Sequence, residues 1–246
     1  MPAAAQSFHE LPLEERLSIT RRGTALYSGQ LSLIDNDDFG EPTLLPGWNI
    51  STLVAHVAYN AHALVNLMDW ATTGVETPMY PSPDARNEQI AYGATLIPDA
   101  LRNLHEHTLV RLDVAWRDAP EEAWNAEVKT AQGRTVPASE TLWMRTREVW
   151  LHAVDLNQTA NFSDMPEVVL ETLVPEIANK WRGQGAGEGL VLVNTDSGER
   201  IEVSPGEDAV EIRGGLAGLA RWASGRGAQG VTVAEGDEVP APPRWL

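Results

Sequence analysis

Apolar residues recur at helical spacing through the first half of the chain. From about Leu13 to Ile34 the positions Leu13, Leu17, Leu26, Leu31 and Leu33 predict a helix, with Pro12 suited to its first turn. The acidic, glycine and proline residues between Asp35 and Pro42 predict a loop. A second helix opens after Pro46-Gly47-Trp48, with Asn49 or Ser51 as N-cap, and runs to about Thr72. Leu53, Val57, Leu64 and Met68 form its buried stripe. Pro78, Pro81 and Pro83 mark residues 74 to 85 as a connection. A third helical region spans about 86 to 116, where Pro98 should kink or split it and Leu101, Leu104, Thr108, Leu112 and Ala115 form the apolar face. After a turn-rich interval around Gly133, a fourth helix runs from about Pro137 or Ala138 to about Leu156. Four long helices with moderate connections predict a bundle.

The pattern changes in the last third. Residues 166 to 182 read as a helix with Val169, Leu173 and Ile177 on one side. Glycines then cluster at Gly183, Gly185, Gly187 and Gly189. Residues 190 to 194, 201 to 203 and 209 to 212 read as strands, with a turn at 195 to 198 and a helix from about Leu216 to Ser224. The tail from Pro240 to Leu246 reads as extended. The expected fold is α plus small α/β, with residues 1–164 as the helical bundle and 165–246 as a small α/β domain.

Composition narrows the function. The chain has 246 residues, 43% of them hydrophobic, which is enough for a substantial core. Its net charge of −17 repels phosphate backbones and anionic membranes, so neither nucleic acid nor membrane is an expected partner. No apolar run approaches the roughly 20 residues that span a bilayer, and the N-terminus lacks the pattern of a secretory signal. The expected location is the cytoplasm and the expected state a monomer. With no cysteine, any metal must take nitrogen and oxygen ligands, and any thiol chemistry must borrow its sulfur.

The candidate chemistry lies on two of the helices. Glu148 and His152 are four apart and project from one helix face. His56 sits in the apolar run Leu53-Val54-Ala55-His56-Val57-Ala58. Two imidazoles and one carboxylate can hold zinc and leave a coordination position open, which marks a catalytic rather than a structural metal. Asp155, three beyond His152, can accept the other ring N–H, whereas Arg145 can compete for Glu148. At this spacing alone a solvated polar pair remains open, and a lone histidine among apolar residues is ordinarily a core residue. His105-Glu106-His107 reads as a solvated face, because i and i+2 point to different sides of a helix. Arg86, after the proline-rich connection, and Arg226, in Ser224-Gly225-Arg226-Gly227, can reach an anionic ligand. Trp48 reads as locking a helix start rather than stacking on a ligand.

Longer runs are more specific. Leu44-Leu45-Pro46-Gly47-Trp48 leads into Ala55-His56-Val57-Ala58-Tyr59-Asn60, and residues 130 to 145 continue through Arg147-Glu148-Val149-Trp150 and His152-Ala153-Val154-Asp155-Leu156. With Gln184-Gly185-Ala186-Gly187-Glu188-Gly189 and the ending Pro242-Pro243-Arg244-Trp245-Leu246, they make the whole chain resemble the mycothiol-dependent maleylpyruvate isomerases, which are DinB-like metalloenzymes. The resemblance implies a DinB-like four-helix bundle followed by a sterol-carrier-like α/β domain. It implies a divalent metal, zinc, on His56, Glu148 and His152, and mycothiol as the thiol cofactor. It also implies catalytic roles for Arg226, at the face between the domains, and for His56, with Arg86 and Arg226 binding the dianionic substrate. The implied reaction is cis–trans isomerisation of maleylpyruvate to fumarylpyruvate in gentisate breakdown, by thiolate addition, bond rotation and elimination. On the residues alone, a mycothiol S-transferase, a metal-water hydrolase and a non-catalytic ligand-binding module stay open as alternatives.

Overall fold

The computed structural model describes residues 6–206, 209–233 and 238–245, and the chain divides into two compact units. The first, Pro12–Ala160, holds helices α1 (Leu13–Ser32), α2 (Ile50–Thr73), α3 (Pro83–Gly93), α4 (Pro98–Asp118) and α5 (Glu140–Asp155). Helix α1 packs on α5, and α2 packs on α3, α4 and α5. The expected four-helix bundle is therefore α1, α2, α4 and α5. α2 is its core element, with Leu53, Val54, Val57, Leu64 and Leu67 all buried.

Local chemistry sets the helix ends. Asn49, not Ser51, caps α2, its side chain accepting from Thr52 N–H at 2.9 Å. Gly74, with φ +73°, ends the helix in a left-handed turn that a β-carbon would strain. Pro98 splits the expected third helix rather than kinking it. Chain breaks after Gly93 and restarts with Pro98 in the first turn of α4, where a missing N–H costs nothing.

The helix expected from Leu13 is present as α1, and the start of the fourth helix shifts by two or three residues. The buried face of α1 is Ile19, Thr20, Gly23, Tyr27, Gln30 and Leu31, whereas Leu33 is 56% exposed. Polar residues of α1 are buried with partners. Thr20 Oγ1 lies 2.7 Å from Thr146 Oγ1, and Gln30 Oε1 accepts the Thr159 and Ala160 N–H groups at 2.8 and 3.0 Å. The fourth helix, expected from about Pro137 or Ala138, starts at Glu140, and Pro137 closes strand β2 (Thr135–Pro137). This strand pairs antiparallel with β1 (Glu127–Lys129) around a turn where Gly133 has φ +79°.

The second unit comprises Met1–Leu11 with Asn161–Leu246. Phe8 belongs to it, where a division at residue 164 alone would leave it with the bundle. The ring is fully buried and its N–H donates to Thr172 Oγ1 at 2.8 Å. The unit contains α6 (Glu167–Gly183), β3 (Leu190–Asn194), β4 (Arg200–Glu202), β5 (Val210–Gly214), α7 (Leu216–Ala223) and β6 (Val231–Thr232). Its sheet has the order β4-β3-β5-β6, with β3 and β5 parallel and the outer pairs antiparallel. Every residue of β3 is buried, as expected of a central strand. Gly214 and Gly218 face the Gly230 carbonyl with no room for a β-carbon, which lets β6 close the sheet edge. In the tail, the Pro240 carbonyl accepts from Trp222 Nε1 at 2.7 Å and Trp245 is buried; Leu246 lies outside the described residues. Helical bundle and small α/β unit together match the expected fold class. Among the described residues no helix is long and apolar enough to cross a membrane.

Candidate metal centre

His56 from the middle of α2 meets Glu148 and His152 from α5. Glu148 Oε2 lies 2.8 Å from His56 Nε2 and 3.1 Å from His152 Nε2. One ligand atom from each of the three falls within 4.8 Å of the others. Their side chains are 8%, 20% and 12% exposed for His56, Glu148 and His152, so the cluster is largely shielded from water without being sealed. The two imidazole rings stand edge to face, 5.1 Å apart.

Arg145 holds the two helices at this level. It lies one turn before Glu148, is fully buried, and donates through Nη1 to Val57 O at 2.7 Å and Asn60 Oδ1 at 2.9 Å. Both acceptors are on α2 beside His56, so Arg145 sets how α5 meets α2 where the three polar groups converge. Burial lowers its pKa to about 10, against the Glu148 charge, which still leaves it a cation at neutral pH. The loop before α2 is tied in as well, with Leu44 N–H donating to the Asp155 carbonyl at 3.0 Å. That loop carries Trp48, whose ring meets His56 edge-on at 5.2 Å. Trp48 thus stands at the helix start, as expected, and also walls the cluster.

The cluster keeps Glu148 ionised between two imidazoles. Burial pushes the Glu148 pKa up, but the His56 charge and the hydrogen bonds from both imidazoles outweigh it and hold the carboxyl well below its ordinary value. His152 feels the same burial, overcome by hydrogen bonds to Asp155 and Glu148, and rises to about 9. Burial lowers the His56 pKa despite the Glu148 carboxylate. Asp155 Oδ2 sits 2.8 Å from His152 Nδ1, so Nε2 is left to face Glu148 as a potential ligand nitrogen. A bound cation would displace the Nε2 protons of both imidazoles, and the two ring nitrogens with the ionised carboxylate would then fit a divalent ion with nitrogen and oxygen preferences, three protein donors leaving room for an outside ligand.

Arg86 reaches this cluster from the first turn of α3, where Ser82 caps the helix by accepting from Ala85 N–H at 3.0 Å. Arg86 Nη2 lies 3.3 Å from His56 Nδ1. A guanidinium only donates, so in this contact Nδ1 accepts and the ring proton sits on Nε2. A cation on Nε2 would require that proton to leave, the opposite tautomer to the one Asp155 sets in His152. Arg226 belongs to the other compact unit, in the turn after α7, with its Nη1 donating to Ser224 O at 2.6 Å.

Sequence reading missed two neighbours of the cluster. Trp48 was given only a structural part, and Tyr80, in the connection between α2 and α3, was passed over. A proline-rich loop hides the signal that would have found Tyr80. His105 is also corrected: it is 2% exposed, and only Glu106 and His107 face solvent. The cavity of about 710 Å³ lined by Ser28, Arg102, His105 and Val110, among others, includes none of the three converging residues. Chemistry rather than size picks out the candidate site.

A family model described as the mycothiol maleylpyruvate isomerase N-terminal domain matches residues 20–157, a span that contains His56, Glu148 and His152. A crystal structure of the mycothiol-dependent maleylpyruvate isomerase is 65% identical to this chain, covers 98% of it and 100% of its own chain, and superposes with a TM-score of 0.95. A second crystal structure, of a histidine-to-alanine mutant of that isomerase, gives the same values. A search of curated proteins returned no match. By the family match over more than half of the chain, and by that identity over nearly all of it, this chain belongs to the mycothiol maleylpyruvate isomerase family.

Proposed function

We propose that this chain catalyses the mycothiol-dependent cis–trans isomerisation of maleylpyruvate to fumarylpyruvate, with a divalent metal, zinc, held by His56, Glu148 and His152. The observation that carries the reading is the convergence of these three side chains in a member of the isomerase family. When bound, the metal and mycothiol supply a deprotonated thiol that adds to the conjugated alkene, frees its double bond to rotate and leaves again.

The chain's own residues do the rest. Glu148 stays ionised and would offer the one negative ligand atom, while His56 and His152 would each give up the Nε2 proton to a bound cation. Asp155 keeps the His152 proton on Nδ1. Trp48 and the shielded walls around His56 keep bulk water away from the open position. Arg86 is the nearest cation able to grip a carboxylate of the dianionic substrate, and Arg226 is proposed as a second group needed for activity. A chain without cysteine that borrows a reduced thiol suits the cytoplasm.

The test is turnover of maleylpyruvate by metal-stripped and metal-restored protein, each with and without mycothiol. Activity only with metal and thiol together, with the thiol recovered unchanged, is the expected result. Consumption of the thiol would identify a transferase instead, and turnover without thiol would identify metal-water chemistry. His56→Ala should abolish turnover and metal retention together; thiol-dependent turnover in that variant would remove the site.

A further inference from the structure

Tyr80 occupies the connection between α2 and α3. Asn66 of α2 pins this connection by donating to the carbonyls of Pro78 and Met79 at 3.2 and 3.4 Å, and Met79 is buried beneath it. The Arg86 guanidinium lies 5.9 Å from the Tyr80 ring centroid and also reaches His56 Nδ1. Tyr80, Arg86, His56 and Glu148 therefore share one neighbourhood. Glu148, Arg86 and Arg145 all act electrostatically on the Tyr80 phenol. A guanidinium has no acceptor, so the neighbouring Arg86 cannot take the Tyr80 O–H proton. The Tyr80 side chain is only partly exposed. Burial raises its pKa to about 12, against the Arg86 charge, which keeps the phenol a donor at neutral pH.

The proposed reaction has an unmet need for such a donor. As the sulfur–carbon bond forms, the alkene pair moves onto the oxygen of the conjugated ketone. As that bond breaks, the pair returns and the alkene reforms. The charge on the ketone oxygen appears several bonds from the sulfur, so the group that holds the thiol is not the one that stabilises this oxygen. No proton has to be transferred, and a fixed neutral donor is enough. Arg86, with its planar fork, suits a carboxylate, and its neighbour suits the ketone.

We propose that the Tyr80 hydroxyl donates a hydrogen bond to the substrate's ketone oxygen as negative charge gathers there, making Tyr80 a further catalytic residue. This rests on the isomerase reading above and names the group that stabilises its transition state.

The test is Tyr80→Phe, prepared with its metal content measured beside wild type. Loss of one such donor costs about 100-fold or more in kcat, with metal content and KM unchanged. If Tyr80 only propped Arg86, KM would rise and kcat would hold; that result, or a kcat within threefold of wild type, overturns the proposal. A second readout needs no turnover. Succinylpyruvate has the same diketo acid without the alkene, and its enolate absorbs in the near ultraviolet. Wild-type protein should raise the enolate fraction of bound succinylpyruvate and Tyr80→Phe should not; equal spectra would also overturn the proposal. If wild type fails to isomerise maleylpyruvate, the isomerase reading falls while the spectral arm still judges Tyr80. Should Tyr80→Phe fold poorly, difluorotyrosine at position 80 keeps the ring and makes the phenol more acidic. The alkaline limb of kcat should then move to lower pH, and an unmoved limb counts against the donor.

Discussion

His152 is gripped from both sides, by Asp155 at Nδ1 and by Glu148 at Nε2. The buried Asp155 carboxylate decides which nitrogen carries the proton, and so which one can face a cation. Asp155→Asn keeps the shape and removes the charge. It should weaken metal affinity by about 10- to 100-fold, read by competition with a chromophoric chelator, and an affinity within twofold of wild type would show that Asp155 does not orient the ligand. His105 makes the opposite use of burial. Its Nε2 lies 2.9 Å from Ser28 Oγ and its ring 5.1 Å from that of Tyr27, and burial together with the Arg145 charge lowers its pKa from 6.5 to about 3. Between those values the unfolded chain takes up a proton that the folded protein refuses. The stability His105 contributes is therefore complete above its unfolded pKa and is lost as pH falls toward the folded one, at up to about 1.4 kcal/mol per pH unit. His105→Gln should flatten the urea-measured fall in stability over that window; a slope equal to that of wild type would mean that His105 protonates freely in the fold.

Pairs of helices, rather than single residues, bring His56, Glu148 and His152 together. α1 approaches α5 at Gly23, where an added Cβ would sit 2.5 Å from Trp150 Nε1 and 2.7 Å from Val149 Cγ2. Trp150 cannot easily yield, because its Nε1 donates to Ile19 O at 3.2 Å. Alanine gains about 1 kcal/mol in helix propensity over glycine, but overpacking costs about 1–3 kcal/mol. Two buried neighbours must move at once, so the steric cost should win. Gly23→Ala should destabilise the protein by about 1–2 kcal/mol in urea unfolding, and a stabilised variant would show that the helices can move apart cheaply. The same pairing explains what the sequence could show. α2 was legible because its buried stripe is aliphatic and its ends carry Asn49 and Gly74. The buried face of α1 was not, because Thr20, Gly23 and Gln30 look like surface residues until their partners on α5 and after it are known. Glu148 and His152 were legible as a pair four apart on one helix. Their meeting with His56 was not readable from spacing, since it depends on Arg145 holding α5 to α2. Tyr80 escaped because a loop residue has no period to betray its neighbours, and the fold alone brings it beside Arg86.

At the scale of the whole molecule the charge of −17 works against the proposed substrate. A dianion approaching such a surface is repelled, and only local cations such as Arg86 oppose the field. These two effects respond differently to salt. Exposed carboxylates spread over the surface are screened once the Debye length shrinks from roughly 30 Å at 0.01 M salt to roughly 8 Å at 0.15 M. The half-buried Arg86 beside His56 acts at contact distance and is screened much less. Added salt should therefore relieve the repulsion more than it weakens the grip. KM for maleylpyruvate is expected to fall by about twofold or more across that range while kcat stays level. Arg86→Gln separates the two effects in one series of assays. KM should rise at every salt concentration, because the carboxylate has lost its fork, and it should still fall as salt is added, because the surface field is unchanged. A wild-type KM that climbs with salt would instead mean that local cations, not the net charge, govern how the substrate arrives.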